Sequence, residues 1–160
     1  MAPQLVALIA LVVVTGVLGL VWRSRQGRVR PARTVPYATL DWPRRLSDLD
    51  VEQGSLATFV QFSAPVCTAC RVTARVLGAL AASEPGVAHV ELDVEEHPEL
   101  ARECRVLRAP TVVVLDAAGA EVARAGGAMT PAQARAALDV ATVSLAASEV
   151  GSGIEARRSA

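Results

Sequence analysis

Leu56-Ala57-Thr58-Phe59-Val60-Gln61-Phe62 is an apolar run. It passes through Ser63-Ala64-Pro65-Val66 into Cys67-Thr68-Ala69-Cys70, and a helix-like stretch from Arg71 to Ala82 follows. Apolar residues on both faces mark the run as a buried strand. The later stretch places Val72, Val76, Leu77 and Leu80 on one face and Arg71 and Arg75 on the other, as in an amphipathic helix. Two cysteines at a strand-to-helix junction make a reversible dithiol/disulfide pair. The first thiol sits near unpaired helix N–H groups whose positive end stabilises a thiolate. A lone C-x-x-C is only moderately specific, because half a zinc site reads the same.

Further along, Val87 to Val94 alternates like a second strand, and Pro98 suits the first position of a short helix through Cys104. Arg108-Ala109-Pro110-Thr111 leads into the strand Val112 to Asp116. Ala117-Ala118-Gly119 forms a hairpin turn, and Glu121 to Ala125 returns. Thr130-Pro131-Ala132-Gln133 opens a last helix through Leu138, Ala141 and Leu145 with a capping box and an early Pro. Residues 148–160 read as a loose, small and polar tail. The order β–α–β–α–β–β–α over residues 46–147 predicts an α/β sheet sandwiched by helices.

Upstream, Leu5 to Trp22 is eighteen residues without a charge, long enough for a transmembrane helix. Residues 1–22 are therefore expected to be a retained anchor: Met1 to Gln4 carries no basic side chain, and no cleavage-like site follows Trp22. Arg23, Arg25, Arg28, Arg30 and Arg33 crowd the far flank. The positive-inside rule then predicts a single-pass cell-membrane protein with its N-terminus outside and the rest cytoplasmic. Residues 23–45, rich in Arg and Pro, read as an extended tether.

The balanced charge hides this asymmetry. All sixteen basic residues are Arg, and the basic run lacks interleaved aromatics. It therefore points to anionic lipid headgroups and the bilayer, not to nucleic acid. Three cysteines are too few for a disulfide scaffold in a chain of this size, and suit a redox or metal site.

About a hundred residues in order resemble the thioredoxin family. The match rests on Phe62 to Arg71, Glu91-Leu92-Asp93-Val94, His97-Pro98-Glu99-Leu100-Ala101, Val106 to Thr111, the turn at Gly119, and Gly127-Ala128. The resemblance implies a thioredoxin-like α/β fold, a central mixed sheet flanked by helices, and the uncharged Leu5–Trp22 run places one N-terminal transmembrane helix before it. The resemblance implies that Cys67 attacks and Cys70 resolves. It also implies that Pro110 is cis and faces the dithiol, and that Val66, Ala109 and Pro110 meet the substrate, Ala109 by strand-like backbone pairing. Cys104 falls where some thioredoxins carry an accessory redox cysteine, although a small buried residue is its commoner role. Cys67, Cys70, Cys104 and one of His89 or His97 fit zinc by ligand type. In the resembled fold, however, the facing proline crowds out a metal, so neither metal nor cofactor is expected.

Three departures bear on turnover. Val66 stands where thioredoxins usually have Trp, and Thr68-Ala69 where they have Gly-Pro. Gln61 stands where most bury an Asp that takes the resolving thiol's proton, which an amide cannot do. The expected function is a membrane-tethered thiol–disulfide oxidoreductase that reduces protein disulfides. Its partners would be protein disulfide or dithiol substrates and an upstream electron donor, either a reductase or a low-molecular-weight thiol. The alternative is a thioredoxin-fold binding or scaffold module with little redox turnover.

Overall fold

The computed structural model describes residues 2–25, 28–31 and 40–158. Its elements in chain order are α1 (Ala2–Arg25), β1 (Arg30–Pro31), α2 (Trp42–Asp48), β2 (Ala57–Ser63), α3 (Thr68–Ser83), β3 (Val87–Asp93), α4 (Pro98–Glu103), β4 (Thr111–Asp116), β5 (Glu121–Gly126) and α5 (Pro131–Arg158).

The sheet order is β1-β5-β4-β2-β3. Strand β2 is interior, parallel to β3 on one side and antiparallel to β4 on the other, and it is buried along its whole length. Its alternation divides two cores. Ala57 and Phe59 pack with Leu77, Val112, Val114, Ala137 and Leu138 on the α3 and α5 side. Val60 and Phe62 pack with Trp42, Leu46, Leu92, Leu100, Val113 and Leu115 on the α2 and α4 side. The same alternation puts Gln61 on the α3 side, beneath the cysteines.

Three segments differ from the sequence reading. A short helix begins at Trp42, ahead of the domain start expected at Leu46: Asp41 accepts from the Arg44 N–H at 3.2 Å, and Pro43 lies in the first turn. Trp42 is 1% exposed, so what reads as tether is part of the domain's floor. Arg30 and Pro31, also inside the expected tether, pair with β5 as an edge strand. The last helix continues to Arg158, through the stretch expected to be loose. Residues 26–27 and 32–39 of the expected tether lie outside the described residues.

The expected anchor falls on α1. The backbone is helical over Ala2–Arg25, and every described side chain from Val6 to Val21 is exposed. Among the described residues no helix is long and apolar enough to cross a membrane.

Candidate functional site

Strand β2 ends at Ser63, and α3 begins at Thr68. Cys67 is the N-cap of α3, with extended backbone (φ −133°, ψ 101°), and its Sγ accepts the Cys70 N–H at 3.1 Å. A sulfur that receives a helix N-terminal N–H is placed to carry negative charge. Cys67 and Cys70 are joined as a disulfide, with Cα atoms 5.2 Å apart. Their surroundings are unequal: Cys67 is half-buried, whereas Cys70 is 2% exposed.

Gln61 lies under Cys70 and is fully buried. Its Nε2 donates to the Cys70 carbonyl at 3.0 Å, to Ser63 Oγ at 2.8 Å and to Glu91 Oε1 at 3.2 Å. The Ser63 hydroxyl also donates to Glu91 Oε1. Gln61 and Glu91 are register partners on β2 and β3, which aligns their side chains on one face. The floor of the site therefore holds an amide and a hydroxyl tied to a carboxylate that reaches in from the neighbouring strand. Neither Ser63 nor Glu91 is singled out by the sequence. Only the parallel register, invisible locally, brings them to Gln61.

The Ala109–Pro110 peptide is cis. Thr111 pairs with Phe62, so the Pro110 turn and the Cys67 turn lie at the same end of the sheet. The Pro110 carbonyl accepts from the Gly127 N–H at 2.8 Å, and Thr111 Oγ1 donates to the Arg108 carbonyl at 2.8 Å. Gly127 has φ 94°, the left-handed region that glycine tolerates. Ala109 is half-buried and Pro110 buried. At this end Val66 is 97% exposed and Leu107 is 93% exposed, two apolar side chains in open water. Leu107 is a third such residue, after Ser63 and Glu91, that the sequence reading passes over. Its signal is an apolar side chain one position before Arg108 in the loop leading to Pro110.

Cys104 caps the C-terminal end of α4, is 3% exposed and is unpaired. Burial pushes its thiol up to about 12, against the opposing pull of Arg124. The Arg124 guanidinium donates to the Cys104 carbonyl and pairs with Glu121 at 2.7 Å. In this conformation Cys104 is a packing residue. His89 is also largely out of water; burial lowers its pKa, with Glu91 pulling the other way. Among the described residues no three His, Cys, Asp or Glu side chains are grouped to hold a metal ion.

The sequence profile of the thioredoxin family, described as "Thioredoxin", matches residues 47–139. The chain belongs to the thioredoxin family. Its fold is similar to that of Fasciola hepatica thioredoxin, with 30% identity over 62% of this chain and 93% of that one, at a TM-score of 0.53. It is also similar to oxidised mitochondrial thioredoxin 3 of Saccharomyces cerevisiae, with 26% identity over 61% and 88% of the two chains and a TM-score of 0.50. A Schistosoma mansoni thioredoxin aligns at 22% identity over 63% and 90%, with a TM-score of 0.52, and speaks for the fold alone. No curated protein matches the chain in sequence. The family match leaves out α1 and the segment after it.

Proposed function

We propose that this thioredoxin-family domain is a membrane-anchored thiol–disulfide oxidoreductase working in the reducing direction. The observation that carries the chemistry is the asymmetry of the pair, an accessible Cys67 capping α3 and a buried Cys70 three residues on. In the reduced protein the Cys67 thiolate attacks one substrate sulfur. A Cys67–substrate bond forms, the substrate S–S bond breaks, and its second sulfur leaves as a thiolate. Cys70, once deprotonated, attacks Cys67 Sγ. The enzyme disulfide forms, and the first substrate sulfur is released. Two electrons and, after protonation, two protons pass to the substrate, and an external dithiol or reductase restores the pair.

Leu5–Trp22 supports the anchor: eighteen uncharged residues, on a chain that is helical from Ala2 to Arg25. The five Arg after Trp22 support an N-terminus outside and a cytoplasmic domain, where the resting state is the dithiol. Gln61 favours a second reading, a binding module with slow turnover, since the amide cannot take the proton of Cys70.

Reduction of insulin disulfides with a dithiol donor separates the two. A reductase catalyses it and loses the activity in Cys67→Ser, whereas a binding module is inactive and keeps its partner in that variant. A reporter fused after Ala160 tests topology: green fluorescent protein should fluoresce and alkaline phosphatase should stay inactive. Active phosphatase without fluorescence would reverse the orientation and the case for reduction.

A further inference from the structure

The strand register shows at which end the chain enters the domain. Arg30 pairs with Arg124, Arg124 with Val113, and Val113 with Val60, one row across β1, β5, β4 and β2. Two residues on, Gly126 pairs with Thr111 and Thr111 with Phe62. That second row runs into Pro110 on one strand and toward Cys67 on another. Because β1 is antiparallel to β5, stepping back from Arg30 to Arg28 moves toward the second row. The polypeptide leaving α1 therefore arrives at the dithiol end of the sheet. Val29 is half-buried against the α3 and α5 core while Arg28 and Arg30 are exposed, so a side chain holds this entry as well as the ladder.

Covalent geometry bounds the distances. Arg25, the last residue of α1, lies three steps from Arg28, at most about 11 Å. Strands β1 and β2 are three spacings apart, roughly 14 Å. The five residues from Phe62 to Cys67 add at most about 17 Å, so the dithiol is within about 45 Å of the end of α1. A free tether over residues 27–45 would reach about 60 Å, but everything after Pro31 lies beyond the pinned strand and adds no reach.

We infer that the β1–β5 pairing holds the dithiol toward the bilayer, and that the substrates are disulfides of membrane proteins within about 45 Å of its surface. This rests on the proposed anchor and exchange chemistry and names the substrate class for them. The exposed Val66 and Leu107 at the same end offer apolar contact to such a substrate.

The test uses the full chain in phospholipid vesicles with dithiothreitol as donor. Two disulfide probes sit on a transmembrane peptide, one about 10 Å above the surface and one on a polyproline spacer of about 60 Å. The near probe should be reduced faster, on the order of tenfold, because the pinned dithiol is concentrated at its height. Ten Gly/Ser residues inserted between Gln26 and Gly27 should erase the preference. The same insertion between Val35 and Pro36, beyond β1, should leave it intact. Equal rates on the two probes, or loss of the preference from the downstream insertion, would overturn the inference. Flotation with the vesicles and insulin reduction are measured alongside. Failure of either removes the anchor or the chemistry, and the inference with it. Success in both without height preference removes the inference alone.

Discussion

Two corners of this domain each place a cysteine at a helix end, and they end up with opposite chemistry. At the start of α3, Cys67 receives the Cys70 N–H and is half-buried. At the end of α4, Cys104 follows the last helical residue, is 3% exposed, and has its thiol pushed up to about 12 by burial. The residue type is the same, so the difference lies in helix polarity and access to water. An N-terminal N–H favours a thiolate, whereas an apolar enclosure at a C-terminal end favours the thiol.

The largest test of this contrast is removal of each sulfur. Cys67→Ser should lower insulin reduction by on the order of a thousandfold or more, because no other nucleophile replaces it. Cys104→Ala should leave the rate within about twofold, costing only the small packing loss of a buried thiol. A comparable loss in both would place Cys104 in the chemistry and erase the distinction between the corners.

A similar effect should appear in alkylation of the reduced protein. The rise of the Cys104 thiol from 9.0 to about 12 leaves roughly a thousandth of the ordinary thiolate below pH 9. Iodoacetamide at pH 8 should therefore label Cys67 rapidly and Cys104 only on unfolding, as read by peptide mass mapping.

Much of this was legible locally. The apolar run before Cys67 gives β2 within one residue at each end, and the cysteine spacing with the following amphipathic stretch gives α3. What was not legible depends on distant partners. Arg30 and Pro31 are two residues of a basic, proline-containing segment, and only β5 makes them a strand. Trp42-Pro43-Arg44-Arg45 looks like tether because two charges and a proline interrupt it. Yet Asp41 caps it, and the Trp42 ring lies 6.4 Å from that of Phe62. Glu91 reads as an ordinary polar strand position until the parallel register sets it against Gln61. The absent carboxylate at Gln61 was readable, but its partners were not.

A middle-sized effect concerns that floor. Gln61→Asp should speed disulfide reduction by roughly ten- to a hundredfold, more as pH falls toward neutrality, by giving Cys70 a proton acceptor. It also deletes an amide that donates to Cys70, Ser63 and Glu91, and sets a second carboxylate beside Glu91. Stability should fall by about 1–3 kcal/mol, read by urea denaturation. An unchanged rate in a folded variant would show that resolution is not limited at Gln61.

The smallest effect is on acid stability. His89 has its folded pKa lowered by burial, with Glu91 opposing. Its contribution is complete above the unfolded pKa of 6.5 and is lost as pH falls from there through the lower folded value. His89→Gln should therefore flatten the decline in stability below pH 6.5, measured by thermal unfolding across pH. An identical pH profile would mean that other groups carry the decline.

Trapping the intermediate tests the unequal roles of the paired cysteines most directly. Cys70→Ser, reduced and offered a disulfide substrate, should accumulate a mixed disulfide whose only enzyme sulfur, by mass spectrometry of the linked peptide, is Cys67. A trapped species through Cys104, or one formed in Cys67→Ser through Cys70 with equal yield, would contradict the assignment of Cys67 as the attacking thiol.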